Sequence, residues 1–502
     1  MMTVENLNYS KSLGELFGDP KLADAALYVS GIAIDSRKVK PDDLFLAYKG
    51  SQSNGADYIE DAIQAGAIAI AVDENEEINL KSISIKIIKV PDLRKQAGFI
   101  ISRFYDEPSK AIQLIGVTGT NGKTTVSYMI AYALYVLGKQ SAVIGTLGYG
   151  RFSQIMASTS TTPDPVKLHS LFSSWRNEVD SVAMEVSSHA LDQGRVSGAE
   201  FDIAVFTNLT RDHLDYHKTI EDYAEAKSRL FESPELKHAI INIDDSYGAQ
   251  LIESLPSTLN TVVYSAKQNL AELNNKDGSF VCCKKIEANN LNTTLSIDSS
   301  WGQAIVQTSL LGEFNVDNIL AAFATLSVSG FPVDKIAETL SGFTGIPGRM
   351  EYFAVEEKPL LVIDYAHTPD ALEKALTALR SYCSGKLYCV FGCGGDRDVG
   401  KRSQMGNIAE QLSDHIILTN DNPRTESPEH IVENILEGIK DKSSVTIKYD
   451  RSDAITNTFI NANKDDVILI AGKGHETTQQ IGTSLLPFSD RELARRLTET
   501  ES

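Results

Sequence analysis

The sequence predicts an α/β protein of three domains: a small α/β N-terminal domain, a central doubly wound domain of the P-loop type, and a C-terminal Rossmann-like domain. Three observations carry this expectation. The 502 residues exceed one ordinary domain. Short buried-strand runs alternate with helical stretches in two separate series. A glycine-rich loop opens the first of those series, between a strand and a helix. Two segments rich in chain breakers, Glu107-Pro108-Ser109 and Phe343 to Met350, divide the chain into 1–108, 109–345 and 346–502.

In the first part, apolar runs at Asp43 to Ala47, Ala67 to Val72 and Ile83 to Val90 read as strands, with a helix over Ala56 to Ala65. In the second, Ile112 to Val117 is a strand, Thr118 to Lys123 a loop and Thr124 to Leu137 a helix. Strand runs follow at Ser141 to Ile144, Val182 to Val186, Ile203 to Thr207 and Ala239 to Ile243. The third part repeats the alternation. Its strands are Leu360 to Ile363, Leu387 to Phe391, His415 to Thr419 and Val467 to Ala471, with helices at Pro369 to Arg380 and Pro428 to Lys440. Such alternation implies mostly parallel sheets covered on both faces.

Composition narrows the function. Lys and Arg number 47 against 67 Asp and Glu, a net charge of −20, which argues against nucleic acid as a partner. No apolar run is long enough to span a membrane, and the N-terminal stretch lacks a basic-then-apolar signal pattern. The five cysteines show no paired zinc spacing with histidines, so reduced thiols and a cytoplasmic location are expected.

Chemistry concentrates after the strands of the second part. Gly119-Thr120-Asn121-Gly122-Lys123-Thr124-Thr125 places successive backbone N–H groups and a helix N-terminus where an anion would sit. Lys123 is suited to neutralise phosphates, and the Thr124 hydroxyl to ligate Mg²⁺. Val117 stands where a standard P-loop has its first glycine. Glu185 ends an apolar run, where an open α/β sheet binds its ligand. His213 and His217 lie in a polar loop after another strand. Lys227, by composition alone, would be a solvated helix lysine, and Arg424, after Asn422-Pro423, a solvated charge beside a turn.

Taken together, Gly119 to Thr125, Glu185-Val186-Ser187-Ser188-His189, Thr207 to His217, Asn315-Val316-Asp317-Asn318, Gly348-Arg349-Met350-Glu351 and Asp364 to Asp370 resemble the Mur ligases, the ATP-dependent amino-acid ligases of peptidoglycan precursor synthesis. The resemblance covers all three parts in the same order. Gly392 to Lys401 and Gly472 to Glu476 resemble the members that add the third residue of the stem peptide.

The resemblance implies that ATP phosphorylates a substrate carboxylate and that an incoming amine attacks the acyl phosphate. Positioning and charge neutralisation then do most of the catalytic work. It implies Lys123, Glu185, His213 and Lys227 as catalytic residues, with Thr124, Glu185, His213 and Lys227 around Mg²⁺. Lys227 is implied to carry a CO₂-derived carbamate, whose hard oxygens suit Mg²⁺ where an ammonium would repel it. Asn318, Arg349 and Asp364 are implied as adenine and ribose contacts.

For UDP-MurNAc-L-Ala-D-Glu, the resemblance implies Ser36, Ser51, Gln52 and Ser53 at the uridine side. Ser160, Thr161, Thr162, Ser187, Gln193 and Arg195 are implied along the peptide and pyrophosphate path. Ser51 and Ser160 depart from the His and Asn that some members carry there. Asp421-Asn422-Pro423-Arg424 marks members that add meso-diaminopimelate, with Arg397, Gly472 and Glu476 as further contacts. A guanidinium rewards the distal carboxylate of diaminopimelate and repels the bare ammonium of lysine. The resemblance thus implies diaminopimelate addition by a monomer. L-Lysine addition and a folylpolyglutamate synthase-type ligase are the alternatives, the latter lacking a uridine-binding first domain.

Overall fold

The computed structural model describes residues 9–22, 24–50, 53–78, 85–158, 160–268, 278–289 and 292–499. Their contacts form two compact units. One holds the described residues of Met1–Tyr264, Asn275–Phe280 and Ala324–Phe331; the other holds those of Ser265–Asn274, Val281–Phe323 and Pro332–Ser502.

The first unit contains a short antiparallel pair, Lys11–Ser12 with Tyr28–Val29, and strands of two larger sheets. The smaller is fully parallel, in the order Gly31–Ala33, Asp43–Ala47, Ala69–Asp73, Lys86–Val90. Asp43–Ala47 is buried at every position, as expected of a central strand covered on both faces. Apolar clusters lie on its two sides, one around Leu44, Leu46 and Ile101, the other around Phe45, Ile59 and Ile70. The helix Leu93–Phe104 then packs against the helix Pro165–Trp175. Ser102 Oγ there donates to Gly198 O at 3.0 Å.

In the larger sheet this unit's strands run Asn260–Ser265, His238–Asn242, Ile203–Phe206, Gln113–Thr118, Ser181–Glu185, Ser141–Gly145, Gly148–Arg151, parallel to one another except for the last, antiparallel strand. Register fixes what stands at its C-terminal edge. Glu185 pairs in register with Val117, and Phe206 with Thr118. The residues following three neighbouring strands therefore meet at one level, and this is where the motifs fall. Pro165 opens the helix Pro165–Trp175 behind an Asp164 side chain that accepts from Lys167 N–H.

In the second unit the sheet order is Glu351–Phe353, Leu360–Asp364, Val467–Ala471, Leu387–Phe391, His415–Leu418, Val445–Ile447, parallel except for its antiparallel first strand. The helix Pro369–Arg380 agrees with expectation to the residue, capped by Thr368 with proline at its first position. The helix expected over Pro428 to Lys440 ends at Leu436.

The strands Ser279–Asn289, Asn292–Ser299 and Gly302–Thr308 form an antiparallel meander absent from the sequence expectation. Part of Asn292–Ser299 alternates between buried and half-exposed positions, so it offers no continuous apolar run. All five cysteines are free thiols. No helix among the described residues is long and apolar enough to cross a membrane.

Candidate active site

Strand Gln113–Thr118 feeds the loop Gly119–Gly122, which opens the helix Lys123–Val136. Gly119 has φ +143°, and a Cβ there would lie 1.9 Å from Thr207 Oγ1, so the close packing of the two loops requires glycine. Thr207 and Asn208 hold the loop from the neighbouring strand end. Thr207 Oγ1 donates to Asn121 O at 2.6 Å, and Asn208 Oδ1 accepts from Asn121 N–H at 3.0 Å. Thr120 Oγ1 accepts from Thr210 N–H at 3.0 Å. Lys123 Nζ folds back onto the carbonyls of Gly119 (2.9 Å) and Thr120 (2.7 Å). Thr125 follows on the first turn of the helix.

Thr124 and Glu185 are both buried and bonded to one another, Oγ1 donating to Oε2 at 2.9 Å. The other carboxylate oxygen accepts from Thr146 N–H at 2.7 Å. Thr146 had no part in the sequence expectation; no motif marks it. Beside it, Thr161 Oγ1 contacts Thr146 Oγ1 at 3.1 Å, and Thr162 Oγ1 donates to Glu185 O at 2.9 Å. Ser187 N–H donates to Thr162 Oγ1 at 3.1 Å, while the Ser187 hydroxyl accepts from Ala190 N–H to cap the next helix. Arg195 reaches Thr162 O at 3.2 Å and Gln193 Oε1 at 2.8 Å. Ser160 N–H donates to Ser158 Oγ at 3.2 Å.

Lys227 corrects the composition-based expectation of a solvated lysine: it is 1% exposed. Its helix Ile220–Ser228 buries Tyr223, Ala224, Ala226 and Lys227 and exposes Glu221, Asp222 and Glu225. Tyr223 and Lys227 are four residues apart and share a face, so the Lys227 Nζ lies 4.2 Å from the Tyr223 ring centre. That nitrogen also donates to Gly119 O at 2.6 Å, the carbonyl Lys123 contacts. Burial, with Lys123 adding repulsion, pulls the Lys227 pKa well below the usual lysine range, against a weaker opposing pull from Asp212. His213, at φ +54°, packs its ring 4.7 Å from His189 and 6.2 Å from Tyr223. His217 is buried, 3.0 Å from Ser188 Oγ.

In the smaller sheet's region, Ser36 is buried and Asp35 pairs with Arg37. Ser53 is exposed, and Ser51 and Gln52 lie outside the described residues.

In the second unit, Asn318 is buried and donates to Asn315 Oδ1 at 2.9 Å. Asp364 Oδ2 accepts from Met350 N–H at 2.8 Å, and the Arg349 guanidinium lies 4.7 Å from the Tyr365 ring centre. These three residues therefore share one unit. Asp421 and Asn422 are buried. Asn422 donates to Glu476 Oε2 at 2.9 Å, and the fully buried Lys473 binds both, at 3.0 Å to Asn422 Oδ1 and 2.6 Å to Glu476 Oε2. Lys473 sits inside the Gly472 to Glu476 motif yet was not among the expected contacts. Gly472 has φ +112°, and a Cβ there would meet Asp421 Oδ2 at 2.6 Å. Pro423 follows, and Arg424 is the second correction: it is half-buried at φ +53° and donates to Gly395 O at 2.8 Å. A paired strand hairpin, Thr478–Ile481 with Ser484–Pro487, holds its backbone, Arg424 N–H donating to Gln480 O at 3.2 Å. Arg397 is exposed.

A buried hydroxyl–carboxylate pair beside an anion-binding loop is a donor set of hard oxygens, which fits Mg²⁺. Among the described residues, no three His, Cys, Asp or Glu side chains gather as a metal cluster.

Comparison with known proteins identifies the family. Residues 28–105 match the Mur ligase family catalytic domain, 117–326 the Mur ligase middle domain, and 348–474 the Mur ligase glutamate ligase domain. The UDP-N-acetylmuramoyl-L-alanyl-D-glutamate–2,6-diaminopimelate ligase of Coxiella burnetii is 45% identical over 95% of this chain and 97% of its own. A solved structure of a ligase of the same name superposes with a TM-score of 0.72 at 34% identity, covering 98% of this chain and 99% of that one. A folylpolyglutamate synthase from Mycobacterium tuberculosis, solved with ADP and AMPPCP, shares the fold at 17% identity and a TM-score of 0.60, over 74% of this chain and 91% of its own. On the three domain matches and the near-complete alignment with its relatives, the chain belongs to the Mur ligase family.

Proposed function

We propose that the chain is an ATP-dependent, ADP-forming ligase that adds meso-diaminopimelate to UDP-MurNAc-L-Ala-D-Glu in peptidoglycan precursor synthesis, working in the cytoplasm as a monomer. The observation that carries this reading is the pairing of a complete phosphate loop with Asp421–Arg424 on a chain 45% identical to a relative named for that reaction. The domain division 1–108, 109–345 and 346–502 assigns the uridine side, the ATP-dependent chemistry and the incoming amino acid in turn.

The residues have the following roles. The Gly119–Thr125 backbone and Lys123 hold the transferring phosphates, and Lys123 exchanges its loop carbonyls for them. Thr124 and Glu185 would hold Mg²⁺, with His213 and a carbamate on Lys227 for a second ion; bound there, Mg²⁺ neutralises phosphate charge. Lys227 supports this role because burial lowers its pKa, which eases loss of the ammonium proton before the nitrogen bonds CO₂; forming the N–C bond releases a further proton. Asn318, Arg349 and Asp364 contact the nucleoside. Ser36, Ser51, Gln52 and Ser53 hold the uridine side. Ser160, Thr161, Thr162, Ser187, Gln193 and Arg195 line the peptide and pyrophosphate path. Arg424, Asp421, Asn422, Pro423, Arg397, Gly472 and Glu476 select the amino acid.

ADP release tests the reaction class. It should depend on UDP-MurNAc-L-Ala-D-Glu plus diaminopimelate. Release driven instead by a folate plus glutamate would replace this reading with the folylpolyglutamate one.

A further inference from the structure

Arg402, on the helix Gly400–Leu412, has a fully buried side chain and no part in the chemistry above. Its guanidinium forks onto Glu426, Nη1 to Oε1 at 2.6 Å and Nη2 to Oε2 at 2.7 Å. The same nitrogens donate to Asn434 Oδ1 at 2.9 Å and Gly394 O at 3.2 Å. Glu426 Oε2 also accepts from Asp396 N–H at 3.1 Å, and Asp396 accepts from the Thr425 hydroxyl and N–H. One ion pair, between the buried Arg402 and the half-buried Glu426, thus ties together two loops, 394–397 and 422–426.

These are the loops that carry Arg397 and Arg424. They are joined again above the pair, where Arg424 donates to Gly395 O at 2.8 Å and Gly395 N–H to Asn422 O at 2.9 Å. Asp396 and Arg424 both hold positive φ, +55° and +53°, a conformation that persists only where surroundings impose it. Removing a guanidinium from water is costly, and an apolar pair fills such space at less expense. A buried guanidinium forked onto one carboxylate, with only its Nε lacking a hydrogen-bond partner, therefore points to fixing geometry.

We infer that Arg402 and Glu426 form a positioning pair that sets the spacing of Arg397 and Arg424, and through it the affinity for the incoming amino acid. The inference rests on the reading that those two arginines bind that amino acid.

Steady-state kinetics of Arg402→Met, Arg402→Lys and Glu426→Gln on the full chain test it, with KM measured separately for the amino acid, ATP and the nucleotide sugar. The amino-acid KM should rise about tenfold or more while the other two stay within about twofold, since misplacing a recognition group by an ångström is costly. Arg402→Lys, which keeps the charge and loses the fork, should fall between Arg402→Met and the unmodified chain. If Arg402→Met fails to fold, Glu426→Gln decides, because it keeps the shape and removes the charge. Three KM values that move together, or an amino-acid KM that does not move, would overturn the proposal. The substrate reading is judged separately, on the unmodified chain. If that chain prefers L-lysine, the diaminopimelate assignment falls, and the KM split measured with lysine still decides the pair.

Discussion

At the scale of single residues, the candidate site depends on a lysine whose surroundings reverse its ordinary chemistry. Lys227 has Gly119 O and the Tyr223 ring as neighbours, with Lys123 close enough to disfavour a second charge. Lys227→Ala should reduce ligation by about a hundredfold or more, on the scale of losing one preorganised electrostatic group. Formate or acetate should restore part of the rate by replacing the carbamate oxygens. Full activity of the variant in CO₂-depleted buffer would contradict the carbamate role. The burial of Lys227 was not legible from composition, because a lysine between Ala226 and Ser228 looks like any helix surface. Only the packing of Tyr223 and Lys227 against another segment's loop buries it. Thr146 was missed for a related reason, since its partner Glu185 lies 39 residues away, and Lys473 has one partner, Asn422, 51 residues away beside Glu476 in its own motif.

At the scale of elements, parallel strands and capped helices were the most legible features. Asp43–Ala47, Leu387–Phe391 and Val467–Ala471 are continuous apolar runs because both faces are covered, and sequence inspection finds them residue for residue. The meander escaped because Asn292–Ser299 and Gly302–Thr308 carry no such continuous run, leaving the short Phe280 to Cys283 run without a visible partner. The helix Pro165–Trp175 carries a testable consequence of burial. His169 is 0% exposed, with Nε2 3.1 Å from Ser197 O, and burial pushes its pKa down to about 4 despite that hydrogen bond. The unfolded chain binds a proton below its pKa of about 6.5, whereas the folded chain refuses it until about 4, so stability falls as pH drops through that window. The loss approaches roughly 3 kcal/mol at its lower end. Urea midpoints measured between about pH 7 and 4 should fall less steeply for His169→Gln than for the unmodified chain. Equal slopes would show that His169 already carries its proton in the folded state.

At the scale of the whole molecule, an α/β fold of the family's three domains was legible because strands alternate with helices and the motifs of the second and third parts come in a fixed order. The residues proposed to select the amino acid gather at one edge of one sheet. There Asp421–Arg424, Gly472 and Glu476 follow the strands His415–Leu418 and Val467–Ala471. Arg424 could be read from the sequence as a candidate, but its positive φ and its anchor on Gly395 could not. These arise from the hairpin and loop that close around it. The central claim is that this edge recognises an amino acid bearing a distal carboxylate. The measurement that tests it most directly is kcat/KM for meso-diaminopimelate and for L-lysine on the unmodified chain. Charge-assisted hydrogen bonds to Arg424, absent with lysine, are worth a net of about 3 kcal/mol, so a preference above about a hundredfold for diaminopimelate is expected. Equal values, or a preference for L-lysine, would contradict it.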